Sequence, residues 1–468
     1  MARFLHVADV HLGFDRYDSK VRSQDFFYAF YDVLERYAVA EQVDFVAIAG
    51  DLFEHRNIQP ATLNQAQRCL ELLKRASIPA IAIEGNHDNR PYGTKTNWLR
   101  YLSDWEQLIL LEPGDGGSGE VTYQPWNPAT KRGGYIDLDC GVRVLGSAWY
   151  GATAPIAVQY LARQIADLPA PDGAQVMLFH HGLDGQIARY AGALRYEDLL
   201  PLKLAGIDYL ALGHIHKNYS MENWIFNPGS IEANSIEESR YPRGAYQVEI
   251  EKNNIRADLK QEYRQRPIVR LAMVAKGNES EEDIEALAIA TVESAIQAKT
   301  IVPDQAPIIE LRIEGQVGFD RLDLDVRHLQ ERLATLSGAL IFLLKYDVDA
   351  VTYQSPLSDQ ADRTVIEREV YLDLVSAHNT YKKKAGAIAK GLMGLKDLYL
   401  EGRQEQDLQQ FVEALLEDDS SDNPDLLPDL LTEMVTASES PDPVLNPVLD
   451  PGLDPLKDEA SSPADLDG

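Results

Sequence analysis

The sequence predicts an α/β protein with a layered sandwich as its main domain. Three observations carry this. Short apolar runs alternate with helical stripes through residues 1–262. A shorter α+β pattern follows over residues 265–352, and a helical segment over 360–416. The last 52 residues have no periodicity at all. A chain of 468 residues fits this division, at about 100–200 residues per domain.

In the first region the apolar runs are Phe4–Ala8, Phe45–Ala49, Ala80–Ile83, Val142–Ala148, Val176–Phe179 and Tyr209–Leu212. Between the first two lies a stripe of Phe26, Phe27, Phe30, Val33, Leu34 and Tyr37 at helical spacing. A second helix is predicted to begin at Pro60, a suitable first-turn residue. Runs and stripes in alternation indicate helices layered on sheets. Residues 265–352 predict a strand at Ile268–Val274, a helix at Glu281–Lys299, a strand at Ile308–Ile313 and a helix at Val326–Leu336. In residues 360–416, Val365, Ile366, Val370, Tyr371, Leu374 and Val375 form one stripe. A basic turn follows at Lys382–Lys384, and a second helix is expected near Leu408–Leu416.

The formal net charge is −30, with 74 acidic and 44 basic residues. From Glu417 to Gly468 there are fifteen acidic residues, one lysine, eight prolines and no aromatic residue. A segment of that composition cannot bury enough apolar surface to offset its ordering entropy. It is expected to be a disordered acidic tail that solvates the chain, the alternative being an autoinhibitory DNA mimic or a partner-binding tail. The charge argues against a free-standing nucleic-acid binder, which normally presents a basic face. Two cysteines exclude a disulfide scaffold and a cysteine-based zinc site. No apolar run approaches the roughly 18 residues of a membrane span, and no signal-peptide pattern precedes His6 and Asp9. A cytoplasmic location without membrane contact is the expectation.

The chemistry sits at the ends of the apolar runs. Asp9 and His11 follow the first, and Gly50-Asp51 the second. Gly85-Asn86-His87-Asp88 follows the third. His180 ends the fifth, and Gly213-His214-x-His216 ends the sixth. In open α/β sheets, ligand sites are built outside the carboxyl ends of the strands. Imidazole mixed with carboxylate suits borderline divalent metals such as manganese, iron, zinc or nickel. Asp9, His11, Asp51, Asn86, His180, His214 and His216 are seven candidate ligands, too many for one tetrahedral site. They suit two ions sharing a carboxylate, an arrangement that serves phosphoester hydrolysis. Only one of His180 and His181 is expected to face the ions. His6 is expected to be a packed strand residue, His328 and His378 to lie on the surface, and Cys69 and Cys140 to be inert.

As an ordered set these motifs resemble the calcineurin-like metallophosphoesterase superfamily. Asp9-Val10-His11-Leu12-Gly13, Gly50-Asp51-Leu52-Phe53, His180-His181-Gly182 and Asn227-Pro228-Gly229-Ser230 are similar to the SbcD-type exonuclease subunits of DNA double-strand-break repair. The resemblance covers residues 1–262. It implies a four-layer α/β/β/α sandwich, a capping domain at 265–352 and a partner-docking helical segment at 360–416.

For the site, the resemblance implies that Asp9, His11 and His216 hold one ion. Asn86, His180 and His214 would hold the second, with Asp51 bridging. His87 would be the catalytic histidine, and Asp88 would orient its imidazole. Some members place another histidine directly after Gly-Asp-Leu-Phe. Here that position is Glu54, and His55 comes one residue later as a possible phosphate-side group.

The function implied is a DNA nuclease with two divalent ions, manganese by family habit. It would act as a 3′→5′ exonuclease and single-strand endonuclease in repair, beside an SMC-like, SbcC-type ATPase. A homodimer is left open. The alternative keeps the site but turns it on a small phosphodiester or a phosphoprotein.

Overall fold

The computed structural model describes residues 1–115, 121–186, 192–252, 254–350, 363–376, 384–400, 403, 408–409 and 411–412. Met1–Val351 form one compact unit, and a second begins at Thr352.

Two six-stranded sheets make the body of the first unit. One runs in the order Asn254–Lys260, Ala245–Glu251, Ala2–Val7, Phe45–Ile48, Ala80–Ala82, Ile109–Leu110. The other runs Tyr219–Met221, Ile225–Asn227, Tyr209–Gly213, Gln175–His180, Arg143–Leu145, Tyr135–Asp137. The central strands of both are parallel.

Their composition explains their place. Along Ala2–Val7, Leu5 and Val7 pack with the helix side chains Phe30, Val33 and Leu70. Phe4 joins Phe45, Val176, Leu178 and Tyr209 between the sheets. Strands covered on both faces become continuous apolar runs rather than alternating ones. Phe4 stacks on Phe45 at 4.7 Å and Tyr209 on Phe226 at 4.5 Å, filling the inter-sheet layer. Helices Lys20–Leu34 and Pro60–Arg75 cover the first sheet. Helices Ala154–Ala166 and Tyr196–Leu204 cover the second. The result is the four-layer α/β/β/α sandwich expected from the sequence.

His6 lies in the inter-sheet layer. Its Nδ1 is 2.9 Å from the Tyr209 hydroxyl and its Nε2 3.0 Å from the Leu212 carbonyl, so it is a packed strand residue. His328 is exposed and Cys69 is buried. His378 lies outside the described residues.

Residues 268–350 form a parallel three-stranded sheet, Ile268–Lys276, Ile308–Val317 and Ile341–Ala350 in that order. Helices Glu281–Gln297 and Val326–Ser337 connect the strands and cover one face. Ser280 and Asp283 close the start of the first helix reciprocally, the Ser280 Oγ accepting from Asp283 N and Asp283 from Ser280 N. Gly338 ends the second at φ 63°, the left-handed turn that glycine adopts without strain. The third strand has no counterpart in the sequence expectation.

In the second unit, helices Arg363–Ser376 and Ala385–Leu400 are joined by a Lys396–Glu367 ion pair. Lys382, Lys383, most of the helix expected near Leu408–Leu416 and the acidic tail lie outside the described residues. No described helix is long and apolar enough to cross a membrane.

The sandwich and the three-stranded layer meet at a buried ionic cluster. Arg22, wholly buried, donates to Asp25 at 2.9 Å and to the Ala233 carbonyl at 2.7 Å. Asp25 also accepts from Arg266, which leads into the layer, at 2.9 Å. Glu232 accepts from the Arg266 amide at 2.9 Å and is itself buried. Removing one partner of a buried ion pair leaves an uncompensated charge. Arg22→Ala is therefore expected to lower stability by about 3–5 kcal/mol in urea unfolding, far more than an exposed arginine substitution.

Candidate metal centre

The candidate residues converge at the carboxyl ends of both sheets. Asp9 and His11 follow Ala2–Val7, Asp51 follows Phe45–Ile48, and Asn86 and His87 follow Ala80–Ala82. His180 ends its own strand in the second sheet, and His214 and His216 follow Tyr209–Gly213. The first two loops run side by side. Val10 N donates to Asp51 O at 2.9 Å, and Leu12 N to Leu52 O at 2.9 Å.

Asp9, His11, Asp51 and His214 all have left-handed φ, at 51°, 52°, 52° and 85°. Non-glycine residues hold that region at a cost and cluster at functional sites. Gly50 and Gly85 make room for them. A Cβ on Gly85 would collide with the Asp51 carboxylate, and one on Gly50 with the His180 ring.

Two clusters that draw on both sheets result, beside a third group, His11, Glu54 and His87, from the first sheet alone. Asp9, His11 and His216 offer donor atoms that all lie within 4.8 Å of one another, as do Asp51, His180 and His214. Asn86 Oδ1 completes the second, 3.1 Å from His180 Nε2 and 2.8 Å from His214 Nδ1.

The tautomers show what the clusters are built to hold. His180 Nδ1 faces the Ala49 carbonyl at 2.7 Å and must donate to it. Its Nε2 then faces Asp51 Oδ2 at 3.1 Å and the Asn86 oxygen. Likewise His216 Nδ1 faces Glu238 Oε1 at 3.1 Å, and His11 Nδ1 faces Glu54 Oε2 at 2.8 Å. The two Nε2 atoms of those rings then confront each other at 3.1 Å, beside Asp9. Without a metal ion, a proton shared between these Nε2 atoms holds them together, and a cation among the same lone pairs would take its place. The oxygen and imidazole set fits divalent metal ions, and the outer partners Ala49, Glu54 and Glu238 fix the rings as metal-binding histidines require.

The electrostatics agree. Burial works against a charged His180, but Asp51 outweighs it and the imidazole rises to about 9. His216 rises to about 9 against the same burial, through Glu238 and Asp9. Burial raises the Asp51 carboxyl, yet His180 overcomes it and holds the group well below the usual carboxylate range. Burial, reinforced by His180, lowers His214 to about 3. Without metal, protons on His180 and His216 supply the positive charge that the carboxylates demand.

Other expected residues divide. His87 packs edge-on to His11, ring centroids 4.9 Å apart, and its Nδ1 is 2.7 Å from the Glu54 carbonyl. That carbonyl, not Asp88, orients the imidazole. Asp88 instead accepts backbone N–H groups from Leu52, Phe53 and Gly85 at 3.2, 3.0 and 3.1 Å, pinning the Asp51 loop to the Asn86 loop. The expectation that Asp88 orients His87 is corrected accordingly, since its oxygens are turned to the backbone. His55 is half exposed and pairs with Asp15 at 3.1 Å, outside both clusters. His181 turns away, with its nitrogens 3.1 Å from the Gly182 and Gly151 carbonyls. Glu54 and Glu238 belong to the site and were not among the expected residues. For Glu54 the signal was its place after Gly50-Asp51-Leu52-Phe53; for Glu238 the sequence holds none.

Residues 2–218 match the calcineurin-like phosphoesterase family. The chain is similar to proteins named DNA double-strand break repair protein Mre11. The one from Archaeoglobus fulgidus is 30% identical over 241 residues, 51% of this chain and 52% of that protein. The one from Methanosarcina mazei is 47% identical over 97 residues, 21% of this chain and 15% of that protein. The one from Aeropyrum pernix is 28% identical over 258 residues, 53% of this chain and 58% of that protein. The chain thus spans little more than half the length of these relatives at most.

The raised imidazoles make stability depend on pH with a definite sign. His180 and His216 bind protons more tightly folded than unfolded, so their contribution is full below about 6.5 and disappears as pH climbs through about 9. His6 and His214, lowered to about 3, act oppositely, and their contribution fades below about 6.5. In a chelator the melting temperature should therefore peak near neutral pH and fall towards pH 9. With saturating manganese the alkaline fall should disappear, because metal replaces those protons.

Proposed function

We propose that the phosphoesterase domain is a two-metal nuclease that hydrolyses DNA phosphodiesters. The observation that carries this is the pair of clusters in which the ligand atoms of Asp9, His11 and His216, and of Asp51, His180, His214 and Asn86, converge. Asp9, His11 and His216 would hold one ion, and Asn86, His180 and His214 the other, with Asp51 serving both. Bound there, two divalent ions supply Lewis acidity, an activated water and neutralisation of the phosphate oxygens. We take manganese as the working metal.

The chain's own residues do the rest. Left-handed loops hold the ligands in place before substrate arrives. The Glu54 carbonyl accepts from His87 Nδ1 and leaves Nε2 directed to the site. From there His87 donates a proton to the leaving sugar oxygen, a basic alkoxide that gains from acid assistance. Asp88 keeps the two loops together and acts by positioning alone.

The substrate reading is supported by the relatives' names, which place them in DNA double-strand break repair. By the same likeness, a 3′→5′ exonuclease and single-strand endonuclease in the cytoplasm is proposed, with residues 265–352 capping the site. Residues 360–416 would dock on an SMC-like ATPase. Residues 1–416 still carry a formal charge of −16, so DNA binding by the chain alone should be weak and salt-sensitive. The ATPase would supply much of the basic surface.

The test offers the purified chain with manganese both end-labelled duplex DNA and bis-p-nitrophenyl phosphate. Degradation of both is expected. Cleavage of the small ester alone, with or without the ATPase, would favour a small-molecule phosphodiesterase and overturn the nuclease reading. Asp51→Asn should abolish both activities. His87→Ala should lower kcat by roughly 10²–10⁴ while manganese binding persists.

A further inference from the structure

The segment between strands Ile225–Asn227 and Ala245–Glu251 contains two adjacent carboxylates, Glu237 and Glu238. They open the short helix Glu237–Arg240. In a 3₁₀ turn successive side chains diverge by roughly 120°, so neighbours point to different partners. Glu238 points to the metal centre, its Oε1 3.1 Å from His216 Nδ1. Glu237 points to the three-stranded layer, its Oε1 2.9 Å from Lys345 Nζ.

Neither contact stands alone. Lys345 also pairs with Glu310 at 2.6 Å, and Glu310 is buried and held by Arg270 at 2.8 Å. Lys345 is thereby anchored to the middle strand of the layer. On the other side, Glu238 Oε2 accepts from Asn234 N at 2.9 Å, and its carbonyl accepts from Arg243. The segment's start is fixed as well, since Arg22 holds the Ala233 carbonyl and Glu232 holds the Arg266 amide. A rigid piece of backbone therefore has one carboxylate on a metal-ligand histidine and the next on the neighbouring layer.

We propose that Glu237 and Glu238 form a tether by which the position of residues 268–350 sets how firmly His216 holds its metal ion. Glu238 is a positioning residue for His216, fixing its Nδ1 so that Nε2 faces the cluster. Lys345 is a positioning residue one link further out. Any movement of the layer on meeting substrate must either carry this segment with it or break the Lys345–Glu237 pair. That pair is partly exposed, so it can open and reform without unfolding the protein. The inference rests on the ligand role of His216 given above.

Manganese calorimetry on the full chain tests it without any need for catalysis. Glu238→Gln should weaken one of the two sites by about 10-fold or more, as removal of a histidine's outer partner does. Lys345→Met and Glu237→Gln should each weaken the same site by a smaller factor, about three- to tenfold. Lys345→Arg should restore it. In a Glu238→Gln background, Lys345→Met should have no further effect, because the two act through one chain. Wild-type affinity for both ions in Lys345→Met and Glu237→Gln, with Glu238→Gln impaired, would overturn the tether. His216→Ala is the control. Unchanged manganese binding in that variant would remove the ligand role itself and the tether with it, whereas weakened binding leaves the tether to be judged on Lys345 and Glu237.

Discussion

His11 Nε2 and His216 Nε2 lie 3.1 Å apart beside a buried carboxylate, and each ring turns its Nδ1 to a second carboxylate, Glu54 or Glu238. Only a shared proton or a cation makes such an arrangement favourable. It persists because the rest of the domain holds it: parallel strands end at the same level, four ligand-bearing residues accept left-handed backbone, and glycines clear the space between loops. The sandwich can be understood as the frame that keeps these groups from relaxing apart.

The outer partners matter as much as the ligands. Ala49 and Glu54 contribute backbone carbonyls, and Glu54 and Glu238 contribute carboxylates. Each sets which nitrogen of a ring is free. A histidine cluster without them would present a mixture of tautomers and bind metal less well. Glu54 serves two rings, with its side chain on His11 and its main chain on His87.

Much of this was legible in the sequence, for physical reasons. Strands buried on both faces become unbroken apolar runs, so the six runs marked the central strands. Every candidate ligand sits just past such a run, which made the set visible by position. The third strand of the small layer was harder. It opens with four apolar residues, Ile341–Leu344, a run equally compatible with a helix. Asp88 was misjudged because adjacency in sequence says nothing of where a carboxylate turns, and here it turns to three amides. His55 and Glu54 illustrate the same point, since neighbouring side chains point apart and the carboxylate is the one facing inward. Glu238 was invisible because its partner lies in another strand's loop.

The two clusters draw on both sheets. Asp9, His11, Asp51 and Asn86 come from the first, while His180, His214 and His216 come from the second. More than 200 residues separate Asp9 from His216. During synthesis, then, the N-terminal half emerges with Asp9, Asp51, Asn86 and the His11–Glu54–His87 group but without the three histidines that complete the two clusters. The centre closes only when the second sheet docks. A partly made chain is in this sense born disarmed, and completing either cluster becomes a late event that reports on whether the two halves have found each other.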